Sequence, residues 1–289
     1  MATVFIPKST TDLNTSPATT VANGDTVIFG EGSQTIAANL TQWNALAGLA
    51  GVFIDPKFTG TIGGASGALE VDVDTTTASL VSYAAGGGAL YIKAAGPSSL
   101  IERIKHIGSG TLSVTGGTVN RLEQRSGNLS VNSSTTVPAF YMSGGSASFQ
   151  HITANSAFQK LYISSGSLNT ERGLDGNFAG ARMTIAGGSV TVARVDSSST
   201  VPTGTDGASG AVIEVFSGGS LTWRGGNIDN LWVIGGAVDL SGITQNVTIT
   251  NLYIDAAGLS RSTLASKFFA ATVTNRFLYA CDSDILTVP

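Results

Sequence analysis

Paired carboxylates are the residues of this chain whose types and spacing most clearly suggest catalytic chemistry. Asp72 and Asp74 lie two apart in the alternating run L-E-V-D-V-D, so in a strand both point to one face. Two carboxylates on one face could serve the acid–base chemistry of a polysaccharide hydrolase or lyase. Val71 and Val73 alternate with the two aspartates and are expected to point inward, which favours Asp72 and Asp74 as a solvated surface pair instead. Two further pairs, in a loop and in the tail, have the same interpretation: Glu171 with Asp175, and Asp282 with Asp284.

The histidines and the cysteine predict neither a metal site nor a disulfide. His106 and His151 are the only histidines, and no Cys or Glu lies near them at metal-ligand spacing. Cys281 is the only cysteine, so an internal disulfide cannot form. The calcium nonapeptide, the G-x-S-x-G elbow and the phosphate-binding G-x-x-x-x-G-K-[ST] are all missing. We therefore predict no catalytic residues, no metal and no cofactor, in a protein that is not an enzyme.

Composition narrows the class of protein further. The 289 residues include 37 glycines and only 12% charged residues, and they are rich in Ser, Thr and Val, as is typical of short strands and tight turns. No stretch approaches the roughly 18 to 20 apolar residues that span a membrane. A net charge of −4 without a basic stripe argues against nucleic-acid binding. The start of the chain lacks the features of a secretory signal, which predicts synthesis in a cytoplasm.

A glycine-centred repeat organises residues 108 to 260. In the run M-T-I-A-G-G-S-V-T-V, Ile185 and Val190 flank a glycine corner and lie five positions apart. The step recurs at roughly 23-residue intervals, within the range of solenoid repeats. The pairs are Val114/Val119, Met142/Ala147, Ile163/Leu168, Ile185/Val190, Phe216/Leu221, Val233/Val238 and Ile254/Leu259, with Gly117, Gly145, Gly166, Gly188, Gly219, Gly236 and Gly258 near the corners.

Such a repeat cannot stand alone, because it buries only one face and leaves its backbone edges unpaired. Stacking the repeats removes both problems. We therefore predict an all-β fold, a single-chain β-solenoid (β-helix) of short strands with Gly-rich corners, where glycine reaches positive φ at no Cβ penalty. A second set of inward residues opens the strands at Leu122, Phe140, Leu161, Leu231 and Leu252.

The two ends of the chain differ from the repeat. Residues 1–22 are predicted to form an N-terminal arm with a short strand around Val4 to Ile6, and residues 23–59 a strand at Thr26 to Phe29 and a short capping helix. The helix is predicted from Leu40, Trp43, Leu46 and Leu49 at three-residue steps, with an N-cap at Asn39 or Thr41 and a stop at Gly51.

The solenoid itself is placed at residues 60–260, with Leu90 and Ile92 as inward residues of its early coils. Two insertions, at 171–180 and 197–210, are expected to form loops on one face. Residues 261–289 are predicted to form a C-terminal cap or association segment, with a possible helix in S-T-L-A-S-K-F-F-A-A and a last strand in T-V-T-N-R-F-L-Y-A.

Outward aromatic residues suggest a binding surface. Tyr162, Trp232 and Tyr253 each follow the leucine that opens a strand, so in stacked coils they would form a column. Tyr141 and Trp223 are further outward candidates. Aromatic side chains with a polar group suit a subunit interface, ordinary surface cover or stacking on sugar rings, and the sequence leaves these alternatives open.

Several short motifs of this sequence resemble those of a known class of proteins. N-G-D-T-V-I-F at 23–29, F-T-G-T-I-G-G at 58–64 and the later G-G-[ST]-[VLA] corners resemble β-solenoid structural proteins of tailed-bacteriophage virions, particularly head decoration (cement) proteins. The resemblance implies a non-enzymatic protein on the capsid exterior that binds the major capsid protein, often as a homotrimer.

Two surfaces of this chain are expected to serve such a function. Val4, Phe5 and Ile6 of the arm would contact the capsid, and Tyr162, Trp232 and Tyr253 would form the oligomer interface. The alternative function is a tail fibre or spike-like receptor-binding protein that binds carbohydrate through its outward aromatics.

Overall fold

The computed structural model describes residues 2–11, 21–22, 24–36, 50–64, 69–71, 80–83, 88–94, 100–132, 135–149, 159–170, 182–192, 208–224, 228–240, 247–261 and 271–279. Within these residues the chain is almost entirely β-strand, and every pairing between two strands is parallel. The chain divides into two compact units, residues 1–150 and 151–289. Each unit is a stack of parallel coils, so the predicted β-solenoid is confirmed.

Unit 1 holds the first thirteen strands. They are β1 (Thr3–Ile6), β2 (Thr26–Phe29), β3 (Thr35–Ile36), β4 (Gly51–Ile54), β5 (Thr61–Ile62), β6 (Leu69–Val71), β7 (Leu80–Tyr83), β8 (Ala89–Ala94), β9 (Leu100–His106), β10 (Thr111–Thr115), β11 (Thr118–Gln124), β12 (Asn128–Val131) and β13 (Ala139–Phe149).

Two sheets wrap the core of unit 1. The first sheet runs through β1, β2, β4, β7, β9, β11 and the first half of β13. The second runs through β3, β5, β8, β10, β12 and the second half of β13. Because successive strand residues point to opposite faces, alternate positions form buried ladders. Ile104, Leu122 and Phe140 form one such ladder.

Unit 2 repeats this arrangement with nine strands and one helix. They are β14 (Lys160–Thr170), β15 (Arg182–Ile185), β16 (Gly188–Val192), β17 (Ala208–Phe216), β18 (Gly219–Trp223), β19 (Ile228–Ile234), β20 (Ala237–Asp239), β21 (Val247–Asp255), α1 (Ala256–Arg261) and β22 (Ala271–Tyr279).

The first sheet of unit 2 runs through the first half of β14, then β15, β17, β19, β21 and β22. The second half of β14 with β16, β18 and β20 forms its second sheet. Leu161, Leu231 and Leu252 are buried in the first sheet, as predicted for the residues that open these strands.

The five-residue step marks the core correctly in most coils. Both members of Val114/Val119, Met142/Ala147, Ile163/Leu168, Ile185/Val190 and Val233/Val238 are buried. Gly117, Gly145, Gly166 and Gly188 adopt positive φ in the corners between them. Leu90 and Ile92 are buried as predicted. The inward ladders are thus confirmed for these coils, and the glycine corners for the first four. In the corner between Val233 and Val238, Gly235 and not Gly236 has positive φ.

The pair Phe216/Leu221 is assigned wrongly by one residue. Val215, not Phe216, is buried and lies between Ile185 and Val233 in the ladder. The corner is one residue longer here, and Gly218 rather than Gly219 has positive φ. Gly219 serves a different purpose, since a Cβ at this position would overlap the carbonyl oxygen of Ile185.

The last predicted corner, Ile254/Leu259, is replaced by helix α1. Oδ1 of Asp255 accepts hydrogen bonds from the backbone N–H of Gly235 at 2.9 Å and of Gly258 at 2.6 Å. A carboxylate directly before a helix satisfies N–H groups of the first turn, which is how an N-cap starts a helix. Leu259 is consequently a half-buried helical residue and not part of a stacked strand.

The N-terminal residues Thr3–Ile6 belong to the first coil. β1 pairs in parallel with β2 from Thr3 opposite Thr26 to Ile6 opposite Phe29, so the stack begins well before residue 60. The Asp25 carboxylate holds the start of this strand in place by accepting hydrogen bonds from the backbone N–H groups of Ala2 and Ala22, at 2.6 and 3.0 Å. These hydrogen bonds hold the pKa of Asp25 below its usual value.

The strands predicted at Thr26–Phe29 and in T-V-T-N-R-F-L-Y-A are present as β2 and β22. Gly51, the predicted end of the capping helix, is the first residue of β4. The rest of that helix, residues 12–20 of the N-terminal arm, and the helix suggested after Arg261 lie outside the described residues.

Candidate functional site

The carboxylate pairs singled out for chemistry fall outside the described residues, as do His151 and Cys281. Among the buried or half-buried titratable groups on the described strands, three have contacts that decide whether they could act as an acid or a base. They are His106, Glu123 and Glu214.

His106 lies inside the core of unit 1, at the end of β9. Its Nδ1 is 2.6 Å from Oε1 of Gln124, its neighbour on β11, and Gln124 donates in turn to the carbonyl oxygens of Ser126 and Gly127. Burial lowers the pKa of His106, and the hydrogen bonds with Gln124 and the backbone of Gly110 only partly offset this. His106 is therefore a neutral structural residue that ties a strand to a corner.

Glu123 is buried on the outer side of β11 beneath two arginines. Its Oε1 lies 2.6 Å from Nη2 of Arg103 and 2.7 Å from Nε of Arg121. The Arg121 guanidinium also covers the ring of Tyr141, with its carbon 4.6 Å from the ring centre. These contacts link three adjacent coils, and they engage the carboxylate in ion pairs rather than leave it open to a substrate.

Glu214 is engaged in the same way in unit 2. Arg182 donates from Nη2 and Nε to its two oxygens at 2.6 and 2.9 Å, and the Thr184 hydroxyl donates at 2.8 Å. Partial burial raises the pKa of Glu214, but the hydrogen bonds from Arg182 and Thr184 outweigh it, and the pKa lies below its usual value. An ionised carboxylate that already accepts three hydrogen bonds is a poor general acid.

The predicted aromatic column is present in part. The ladder that holds these residues reads Tyr162, Thr184, Glu214, Trp232, Tyr253 and Phe277. Trp232 stacks on Tyr253 with ring centres 3.8 Å apart, and Tyr253 stacks on Phe277 at 4.6 Å. Tyr162 is exposed and is separated from this stack by Thr184 and Glu214. We call Trp232, Tyr253 and Phe277 the aromatic column.

The stacking limits what the column can bind. The planes of neighbouring rings lie within 9° and 11° of parallel, so each ring covers a face of the next. A sugar stacks on an open ring face. In this column the ring faces between coils are already covered, which disfavours the carbohydrate interpretation for Trp232 and Tyr253.

An amide ladder accompanies the aromatic column two residues away on the same strands. Nδ2 of Asn251 donates to Oδ1 of Asn230 at 3.0 Å, and Nδ2 of Asn275 donates to Oδ1 of Asn251 at 2.9 Å. This ladder and the place of Phe277 in the column were not predicted from the sequence. The signal was available, because N-L-W, N-L-Y and N-R-F repeat the order asparagine, any residue, aromatic.

Unit 1 carries a second outward row, of which only Phe5 was predicted from the sequence. Phe5, Ile28 and Phe53 occupy the same ladder position on β1, β2 and β4. Phe5 is 66% exposed and Phe53 36%, whereas Ile6 on β1 is buried inward and Val4 is half-buried. We call Phe5, Ile28 and Phe53 the apolar stripe. Its sequence signal is the run of three apolar residues in T-V-F-I, T-V-I-F and G-V-F-I, which places apolar side chains on both faces of each strand.

One outward aromatic was predicted wrongly. Trp223 is only 3% exposed, because it follows Val192 in an inward ladder of the second sheet. Tyr141 is half-buried beneath Arg121.

Among the described residues, no three His, Cys, Asp or Glu side chains come together as a metal ion would require. The described part of the chain also contains no helix with the length and apolar character needed to cross a membrane. Comparison with protein-family models, with curated proteins and with solved structures found no match to this chain.

Proposed function

We propose that this chain is a non-enzymatic structural protein that decorates and stabilises a tailed-bacteriophage capsid, and that the apolar stripe is its contact with the major capsid protein. The apolar stripe is the observation that supports this proposal. Phe5, Ile28 and Phe53 extend across three adjacent coils on the outer side of the first sheet, two of them well exposed. A contiguous exposed apolar row is the kind of surface that a protein partner covers.

The contacts of the titratable residues are consistent with a structural protein. His106, Glu123 and Glu214 each hold neighbouring coils or corners together. Stability against disassembly is what a decoration protein contributes, and such inter-coil contacts add to the stacked core. The tail-fibre alternative is less favoured, since it relies on ring faces that the aromatic column uses internally.

The proposed assembly is a homotrimer at local threefold positions of the capsid, because a threefold docking site is matched by threefold symmetry of the bound protein. Tyr162 is 39% exposed and is the residue of the predicted interface that stands apart from the aromatic column. It is the first candidate for a subunit contact.

Substitution of the stripe tests the proposal. Full burial of a phenylalanine side chain contributes about 1.5 to 3 kcal/mol, and 36% of Phe53 is exposed before binding, so Phe53→Ser is expected to weaken binding to purified capsids roughly twofold to sixfold. Ile107→Ser is the matched control, because Ile107 is 38% exposed and lies outside the stripe. Cosedimentation of each variant with undecorated capsids gives the affinities, and unchanged thermal unfolding confirms that both fold. Equal binding by the two variants would contradict the proposed contact.

A further inference from the structure

We propose that copies of this chain associate end to end, with the last strand β22 of one copy pairing in parallel with the first strand β1 of the next. The occupant of each terminal strand is thus a second copy of the same chain. Within the described residues, β1 pairs with β2 alone and β22 with β21 alone. Each therefore carries a backbone edge that no described strand covers, and such edges favour pairing with another chain.

The side chains of the two terminal strands match. Phe5 on β1 is 66% exposed and Phe277 on β22 is 42% exposed, which makes them the two most exposed large apolar side chains among the described residues. Phe277 ends the aromatic column, and Phe5 begins the apolar stripe. Pairing Phe277 opposite Phe5 would join the two outward rows into one across the junction.

The same register also extends the amide ladder. Asn275 lies two residues before Phe277, and Thr3 lies two residues before Phe5, so the two come opposite each other. Asn275 gives an Nδ2 hydrogen to Asn251, which leaves its Oδ1 at the outer end of the ladder. The Thr3 hydroxyl, exposed on β1, is a donor for that oxygen. Backbone, amide and aromatic rows thus all continue in one register.

Arg276 weakens this junction. It occupies the ladder position of the buried Leu252 but is exposed, and in the proposed register it faces Val4. A charged residue at an inward position of an edge strand restrains edge-to-edge pairing. Association in solution is therefore expected to be weak and to increase with concentration, and it is favoured further where copies are held together on a particle. The contact is heterologous, so each copy can bind one further copy through each of its two terminal strands.

A complementation experiment tests the junction. Sedimentation velocity of the wild-type chain should show an average mass that rises with concentration in steps of the basic particle, whether that particle is a monomer or a trimer. Phe5→Ser and Phe277→Ser should each abolish the rise, since each removes one side of the junction. If the basic particle is a monomer, an equimolar mixture of the two variants should form one dimer and stop, because one intact β22 meets one intact β1.

Controls separate this contact from others. Phe53→Ser, inside the apolar stripe but away from the edge, should associate like the wild type, and Arg276→Leu should lower the concentration at which association begins. Phe277→Ser should bind capsids normally, which distinguishes this proposal from the proposed capsid contact. A wild-type mass that does not change with concentration would overturn the proposal. So would single variants that still associate, or a mixture of variants that does not.

Discussion

A buried histidine illustrates how this core accommodates polar side chains. His106 stands in a ladder whose next member is Gln124 and whose following member is the apolar Met142. Nδ1–H can donate to Oε1 of Gln124 in both the neutral and the protonated ring, so it is burial, and not this hydrogen bond, that opposes protonation. The residue is thus accepted in the core at the cost of stability in acid.

We expect this cost to appear as a pH dependence of unfolding. The folded pKa of His106 lies below the ordinary value of 6.5, so the unfolded chain binds a proton that the folded chain does not. The free energy of unfolding should be at its full value above pH 6.5 and fall as the pH drops through and below it, by at most about 1.4 kcal/mol per pH unit.

His106→Asn is the matched variant, because its amide can hydrogen-bond with Gln124 but does not titrate. Urea unfolding of both proteins between pH 7.5 and 5.5 gives the comparison. The difference between wild type and variant should change across this range. Parallel pH profiles for the two proteins would show that His106 contributes nothing to the acid sensitivity.

At the scale of elements, corner length decides which residues face inward. A corner of constant length keeps the five-residue step, and one extra residue in the Phe216 corner moves the buried position to Val215. The sequence S-G-G offers two adjacent glycines, and either could carry the positive φ. The choice follows from packing against the neighbouring coil, which a single repeat does not reveal.

The strand register is open to a direct test. Ile185→Asp places a charge in the buried ladder between Ile163 and Val215 and should lower the free energy of unfolding by about 3 kcal/mol or more. Thr191→Asp, on the outer side of β16 in the same coil, should change it by about 0.5 kcal/mol or less. Thermal or urea unfolding measures both, and equal losses would mean that the inward assignment is wrong.

At the scale of the whole molecule, the solenoid can be predicted from the sequence because each of its repeats is marked by residues that lie close together in the chain. Each apolar pair and its glycine corner, such as Ile185, Gly188 and Val190, is recognisable without knowledge of the neighbouring coils. The outward rows depend on which coils are adjacent, and insertions of unequal length hide this in the sequence. Tyr162 accordingly shares a ladder with Trp232 but does not touch it, since Thr184 and Glu214 lie between them.

The apolar stripe was not predicted as a row, because it too depends on which strands are neighbours. Ile28 and Phe53 alternate with Val27 and Val52, so three successive residues of each of these short strands are apolar and the pattern does not say which side is buried. Their strands also precede the regular repeat, where the inward register could not be extended. Only the pairing of β1, β2 and β4 places the three residues in one row.

The position of the chain in a purified phage particle tests the proposed function most directly. Cryo-electron microscopy of the virion should show a coiled β-stack on the capsid exterior at local threefold positions, with the row of Phe5, Ile28 and Phe53 against the major capsid protein. Density for the chain at the tail tip, or particles that lack the chain altogether, would contradict the account.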